Sequence, residues 1–331
     1  MSVRDAVLAA LNETPGVPRS GEALAAQLGV SRAAVWKAIE TLRSEGVTIE
    51  AAPRRGYCLP VRHDLLTADA VSHALPPDLR AVFPSLEVVP ELPGTNAALR
   101  TRAEQGAAEC SVLIAAAQTE GRGRAGRSFY SPPGTGLYLS LLLRPTLAAE
   151  QGPLLTALTA VAVCRAVETL FQVPLDIKWV NDLYHNGHKV CGILTEAAVD
   201  LESGGLWYVI VGVGFNLCSP PGGWPEELRG IAGGLFDGTP PPGSRAQLAA
   251  AFLTEFQSLY ASFDPQAFLP EYRRRQMLVG QEVQVLFPGQ TPRLAVALGV
   301  DDAARLLVRY TDTGEETALH GGEVRARPRA L

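Results

Sequence analysis

From residue 20 onward, apolar positions recur at helical spacing twice in close succession. In SGEALAAQLG the helix is opened by Ser20, a good N-cap, and stopped after Leu28 by Gly29. After Val30, Ser31 caps a second run in which Ala34, Val35, Ala38, Ile39 and Leu42 repeat at helical intervals. Two helices joined by so short a turn make a helix-turn-helix. VTIEA and GYCLP then alternate as the strands of a hairpin whose tip is PRRG. Beyond His63 the pattern becomes mixed. Strand-like runs are SVLIAAAQ, GLYLSLLLRP (136–145), LDIKWVND (175–182), KVCGILTEA (189–197) and LWYVIVGVGFNL (206–217), with HNGH (185–188) as a hairpin turn. Gly152 to Phe171, with Leu155, Leu158, Ala162, Val167 and Leu170, reads as an amphipathic helix, and QLAAAFLTEFQSLYASF as another. A boundary falls near Arg273 to Gln276. The tail alternates as EVQVLF, RLAVAL and ARLLVRY between PGQ, DDA and DTG, as in a small β-barrel. The expected architecture is a winged helix-turn-helix over residues 1–62, an α/β (α+β) body over 63–275 with a mixed sheet covered by helices, and a small β-barrel over 276–331.

Composition sharpens this in two places. The 331 residues carry a net charge of −5, yet the stretch to Arg62 holds eight basic against six acidic residues, or +2, leaving −7 for the rest. The first segment is therefore electrostatically distinct. Its second helix offers Ser31, Arg32, Trp36 and Lys37 on the outer side for a major groove and its phosphates, and Arg54 and Arg55 at the hairpin tip suit a phosphate backbone or a minor groove. The alternative is a small helical domain for protein contacts. No uncharged apolar run approaches the roughly 18 residues of a membrane span, and Arg4, Asp5 and Glu13 interrupt what a secretory signal would need. A cytoplasmic protein without membrane contact is expected. Cys58, Cys110, Cys164, Cys191 and Cys218 are scattered, without a C-x-x-C pair, and His185 and His188 stand alone, so no disulfide framework or metal site is expected.

The segment QTEGRGRAGRSFYSPPGTG contains G-x-G-x-x-G, and falls one lysine short of a P-loop, at Arg127. Both nucleotide readings require a helix after Gly126. Pro132, Pro133, Gly134 and Gly136 oppose one. What remains is a loop with three glycines and the three arginines Arg122, Arg124 and Arg127, able to close over an anion. A solvated basic turn is the competing reading. KWVND puts Lys178, Trp179, Asn181 and Asp182 at a strand end, Lys189 opens the partner strand, and VGVGFN ends in Asn216. Together these suit an acidic, oxygen-rich ligand.

In order along the chain, GRGRAGR with SFYSPPGTGLYLSLLLRP, KWVNDLYHNGHKVCGIL and VGVGFNL resemble the biotin-protein ligases. SGEALAAQLGVSRAAVWKAIETLR and GYCLP make the chain similar to the bifunctional subclass that is also the biotin operon repressor. The resemblance spans nearly the whole chain and implies an SH3-like character for the C-terminal barrel. It implies an enzyme that forms biotinyl-5′-adenylate from biotin and MgATP, then passes biotin to a lysine of biotin carboxyl carrier protein. It also implies a repressor that binds operator DNA as a homodimer when loaded with adenylate. Carried over to this sequence, biotin falls on Thr95, Asn96, Gln118, Arg122, Gly123, Arg124 and Lys189, and the nucleotide on Arg124, Arg127, Phe129, Asn181 and Asn216, with Lys189, Arg122 and Arg124 catalytic. Phe129 would pack over the closed loop. Trp179 would form a wall of the cleft, and Trp224 is the candidate for stacking on adenine. Gly94 stands where the family has serine, and Val180 where it has proline. A lipoate-protein ligase, or a ligand-sensing transcription factor without catalysis, are the rival readings.

Overall fold

The computed structural model describes residues 2–44, 47, 49–52, 55–60, 64, 66–200, 205–287, 289–320 and 323–326. At the N-terminus, α1 (Val3–Asn12) opens with a reciprocal cap: Ser2 Oγ accepts from the Asp5 N–H while the Asp5 carboxylate accepts from the Ser2 N–H. Helix α2 (Gly21–Leu28) runs from Ser20, whose hydroxyl accepts the Ala23 N–H at 3.0 Å, to Gly29 at φ 66°. Ser31 caps α3 (Arg32–Ser44) through the Ala34 N–H. Val7, Leu11, Leu24, Val35, Ile39 and Leu42 close a core between the three helices. The antiparallel pair β1 (Glu50–Ala52) and β2 (Gly56–Cys58) follows, shorter than the expected hairpin arms. Helix α1 is not among the elements expected from the apolar pattern.

The middle of the chain supplies α4 (Ala68–Ala74), β3 (Leu86–Val89), α5 (Thr95–Glu104), β4 (Val112–Ala115), β5 (Gly136–Leu143), α6 (Gly152–Phe171), β6 (Asp176–Lys178), β7 (Asp182–His185), β8 (His188–Val199), β9 (Leu206–Asn216), α7 (Ser244–Tyr260) and α8 (Leu269–Arg274). Its seven strands lie in the order β3-β4-β5-β9-β8-β7-β6, with β3 and β4 parallel and the other pairs antiparallel, so the sheet is mixed as expected. Asn186 (φ 48°) and Gly187 (φ 78°) make the two-residue β7–β8 turn, where both positions need the left-handed region.

Two elements differ from expectation. LDIKWVND is not one strand: β6 stops at Lys178, the chain turns through Trp179, Val180 and Asn181 with a cis peptide between Trp179 and Val180, and Asp182 starts β7 as the cross-strand partner of Lys178. Helix α6 is buried on more than one side, since thirteen of its twenty residues are shielded between β8 and α7. With its preceding turn, Ala149–Phe171 is long and apolar enough to cross a membrane by length and composition. Its most apolar window is 72% buried, as a core helix is, and Arg165, which breaks the uncharged run, pairs with Glu271 at 2.8 Å.

The C-terminal strands β10 (Glu282–Leu286), β11 (Arg293–Val300), β12 (Leu306–Tyr310), β13 (Glu316–Leu319) and β14 (Glu323–Ala326) form an antiparallel sheet in the order β13-β12-β11-β10-β14. Among the described residues β13 and β14 do not pair, so the observed unit is an open sheet and not the closed barrel expected. Val283, Val285, Ala295, Ala297, Leu306 and Val308 share one apolar core with α6, α7 and α8. The Trp179 indole N–H donates to Ala304 O at 2.9 Å, and Arg273 donates to Val300 O at 2.8 Å.

Arg275 joins these layers. Its side chain, 11% exposed, holds Glu168 at 2.6 Å and Glu271 at 2.8 Å, and the two carboxylates push its pKa further up. Removing the cation takes this partner from Glu168 and leaves Glu271 to Arg165 alone. Arg275→Ala should lower the free energy of unfolding by about 3 kcal/mol in urea titrations, while Arg309→Ala, which breaks an exposed pair with Glu316, should cost no more than about 1 kcal/mol. Equal effects would contradict this account.

Candidate active site

The centre of the sheet is bare. Gly192 on β8 lies opposite Gly214 on β9, and Gly212 lies opposite Ser140 on β5. A Cβ at Gly212 would stand 2.2 Å from Asn96 Oδ1, one at Gly214 2.6 Å from the Phe129 ring, and one at Gly192 3.2 Å from that ring and 3.3 Å from Lys189 Nζ. Three expected site residues, distant in sequence, thus converge on one patch of backbone free of side chains.

At one end of the patch is the start of α5. Gly94 offers no side-chain cap, and Gln118 serves instead: its Oε1 accepts from the Thr95 N–H at 2.8 Å and from Thr95 Oγ1 at 3.1 Å. The buried Ser140 hydroxyl lies 2.6 Å from Asn96 Oδ1 and 2.7 Å from Thr95 Oγ1, and Asn96 Nδ2 donates to Leu194 O and Glu196 Oε2. Thr95, Asn96 and Gln118 are therefore brought together. Ser140 and Glu196, which orient them, were not foreseen.

The glycine-arginine loop arches over the patch. Its base is closed by the Gln118–Ser131 bridge, and within it the Phe129 N–H donates to Gly121 O and the Gly123 N–H to Arg127 O, both at 2.7 Å. Only a single 3-10 turn occurs at Arg124–Gly126, with Ala125 at φ 56°, so no phosphate-binding helix follows the glycines. Gly121 is buried against Phe129 O and Ser131 Oγ, where a Cβ would come within 2.4 Å and 2.8 Å. Arg122, Arg124 and Arg127 are exposed. Arg124 reaches Asn181, donating to Oδ1 at 3.2 Å, and Asn181 Nδ2 donates to Ile193 O. Desolvation of the Arg124 guanidinium lowers its pKa, opposed by the nearby Asp182 carboxylate.

At the other end, Lys189 Nζ pairs with Asp182 Oδ1 at 2.6 Å, both side chains about a quarter exposed. The Lys189 backbone is held by Ile231 and Gly233. Asn216 is buried at the end of β9, opposite Gly136. Trp179 is not the cleft wall expected: it is 6% exposed and packs toward the C-terminal sheet. Trp224 meets Tyr130 edge-on with ring centroids 6.4 Å apart, and Tyr130, an unforeseen partner, is 40% exposed. Among the described residues no group of three or more His, Cys, Asp or Glu is placed to hold a metal ion.

The second candidate surface lies on α3 and the hairpin that follows it. Ser31, Arg32, Trp36 and Lys37 are exposed on α3, with Trp36 at 57%, and Arg55 is exposed at the hairpin tip. Arg54 lies outside the described residues. Arg43 turns inward, donating to Ile49 O and lying over the Tyr57 ring.

Comparison with known proteins bears on both surfaces. The profile of the biotin/lipoate A/B protein ligase family matches residues 92–216, and that of an HTH domain matches residues 3–58. The chain is 34% identical to the bifunctional ligase/repressor BirA of Bacillus subtilis, over 88% of this chain and 90% of that protein. The chain belongs to the biotin-protein ligase family, in its bifunctional ligase/repressor form. The BirA of Escherichia coli is 30% identical over 93% of this chain and 92% of its own length. The biotin protein ligase of Aquifex aeolicus, solved in complex with biotin and ATP, superposes with a TM-score of 0.60 at 27% identity, covering 74% of this chain and 99% of that one.

The bare patch makes a prediction independent of ligands. Gly214→Ala puts a methyl where the Phe129 ring sits, so the loop loses its seat while the sheet retains its pairing. Trypsin should then cleave after the loop arginines several-fold faster than in the unaltered protein. An unchanged cleavage rate with an unchanged melting temperature would count against Phe129 as the loop's anchor.

Proposed function

We propose that this site joins biotin to the adenylyl group of ATP and then passes the biotinyl group to a lysine of biotin carboxyl carrier protein. The observation that carries the reading is the convergence of Asn96, Phe129 and Lys189 on Gly192, Gly212 and Gly214, in a member of this family. A biotin carboxylate oxygen attacks the α-phosphorus, the bond to the β-phosphate oxygen breaks, and pyrophosphate leaves. The carrier amine next attacks the acyl carbon, AMP departs, and the amine loses a proton. Thr95, Asn96 and Gln118 would hold the ureido ring. Lys189 would bridge the biotin carboxylate and the α-phosphate, with Arg122, Gly123 and Arg124 closing over both. Arg124, Arg127, Phe129, Asn181 and Asn216 would line the nucleotide, and the Tyr130–Trp224 pair would take adenine.

An anion attacking a polyanion needs positive charge where negative charge accumulates. Lys189 and Arg124 lie beside that point, restrained by Asp182 and Asn181. Mg²⁺ typically keeps several waters and uses one or two carboxylates plus substrate phosphates. Asp182 fits an ion arriving on the triphosphate, where it would offset charge on the phosphate oxygens. A loop that orders over the product would shield the mixed anhydride from hydrolysis.

For the remaining parts, residues 1–62 are proposed to bind operator DNA, 63–275 to catalyse, and 276–331 to form a small SH3-like module. Adenylate occupancy is proposed to favour a homodimer that sets two helix-turn-helix units on a two-fold operator, in the cytoplasm and without membrane contact.

Lys189→Ala should reduce biotin-dependent pyrophosphate exchange by about 100-fold or more without lowering the melting temperature, and a near-normal rate would exclude the assigned role. Substituting lipoate in the same exchange assay separates the two ligase chemistries. Lys37→Ala should weaken operator binding and reduce its salt-dependence slope by about one; an unaltered slope would remove Lys37 from the phosphate contacts.

A further inference from the structure

Gln118 is held in one amide orientation, and a second residue enforces it. The Thr95 backbone N–H is an obligate donor, so the Gln118 atom 2.8 Å away must be Oε1. The amide nitrogen then faces the other way, where Nε2 donates to Ser131 Oγ at 2.9 Å. Ser131 has one proton, and it goes to Phe129 O, an obligate acceptor 2.9 Å away. With that proton committed, Ser131 can only accept from Gln118. Were the amide flipped, oxygen would face oxygen. The second amide proton of Gln118 has no partner among the described residues.

We propose that Ser131, 3% exposed at the loop base, is a positioning residue that makes Gln118 read the ureido group as a donor, selecting a ligand with an acceptor there. This rests on the biotin-ligase reading above. The same hydroxyl ties that selection to the loop, because the carbonyl it holds belongs to Phe129, whose ring is seated over Gly192 and Gly214. A site that selects its ligand only by shape would not need this arrangement. Here the direction of three consecutive hydrogen bonds is fixed at both ends by backbone groups.

The test compares biotin with 2-iminobiotin, in which a guanidine that is protonated at neutral pH replaces the ureido carbonyl and offers no acceptor. Pyrophosphate exchange with the full chain gives KM and kcat for each compound in the unaltered protein, Ser131→Ala and Ser131→Thr. In Ser131→Ala the amide keeps its Thr95 anchor but loses the acceptor that holds Nε2, so KM for biotin should rise roughly five- to tenfold, as for loss of one hydrogen bond of about 1 kcal/mol, with kcat little changed. The preference for biotin over 2-iminobiotin should fall by a similar factor, and Ser131→Thr, which keeps the hydroxyl, should restore both. An unchanged preference in Ser131→Ala, whether or not kcat falls, would overturn the inference while leaving the ligase reading in place. No biotin-dependent exchange in the unaltered protein would remove that reading and this inference with it.

Discussion

The site depends on the absence of three side chains. Strands β5, β9 and β8 lie side by side at the middle of the seven-stranded sheet, and β5 is buried along its whole length. Glycine in a strand interior weakens it by roughly 0.5–1 kcal/mol per residue, and β8 and β9 carry Gly192, Gly212 and Gly214 within their paired region. That loss is offset on the opposite face, where Cys191, Ile193, Val211 and Val213 pack into the core that includes α6. The strands are therefore firm on one face and open on the other. An open floor lets Asn96 from a helix start and Phe129 from a loop descend onto the sheet, which side chains at these glycines would prevent.

Electrostatics act on this floor in a graded way. Lys189 is held by the Asp182 carboxylate at 2.6 Å and Arg124 by the neutral Asn181 amide at 3.2 Å, so the two cations are restrained to different degrees. Exposed charges on the loop interact weakly while water and salt surround them. Bringing the loop onto a bound anion removes that screening and raises the interaction several-fold. Arg124 already pays part of the desolvation, as its lowered pKa indicates, yet a guanidinium stays charged far above neutral pH. The loop's glycines supply the backbone freedom, and Gly126 at φ 74° uses it.

What the sequence made legible was local. Ser20, Gly29 and Ser31 mark helix ends through their own hydrogen bonds and dihedrals, and Asn186–Gly187 specifies its turn, so the helix-turn-helix and the β7–β8 hairpin follow from short windows. The site residues came from a resemblance, and the structure brings Thr95, Asn96, Gln118, Phe129 and Lys189 to one patch, though their ligand roles rest on the proposal. Residues that act through distant partners left no local trace. Ser140 meets Asn96 across 44 positions and Glu196 meets it across 100, and no periodicity encodes such pairs. Helix α5 escaped notice because Gly94 supplies no cap of its own and a glutamine 23 residues from Thr95 does that work. LDIKWVND read as one strand because its turn contains neither glycine nor proline, and Trp179 was misplaced with it.

The two appended units are attached by different physics, and this bears on how one chain can combine catalysis with a response on DNA. Detaching the C-terminal sheet would expose Val283, Val285, Leu306 and Val308, each worth about 1.5–3 kcal/mol when fully buried, and would break the Trp179–Ala304 bond. The N-terminal helices have a core of their own. Their described link to the central body is polar: Arg4 lies 3.7 Å from Asp69 on α4, and beyond the helix-turn-helix Asp64 is clasped by the buried Arg245 at the start of α7. An exposed ion pair of that length contributes no more than about 1 kcal/mol. Among the described residues the apolar side chains of the N-terminal helices and those of the central body form separate clusters, whereas the C-terminal sheet shares the central one. The surface that carries Trp36 and Lys37 thus stands on a unit with its own core.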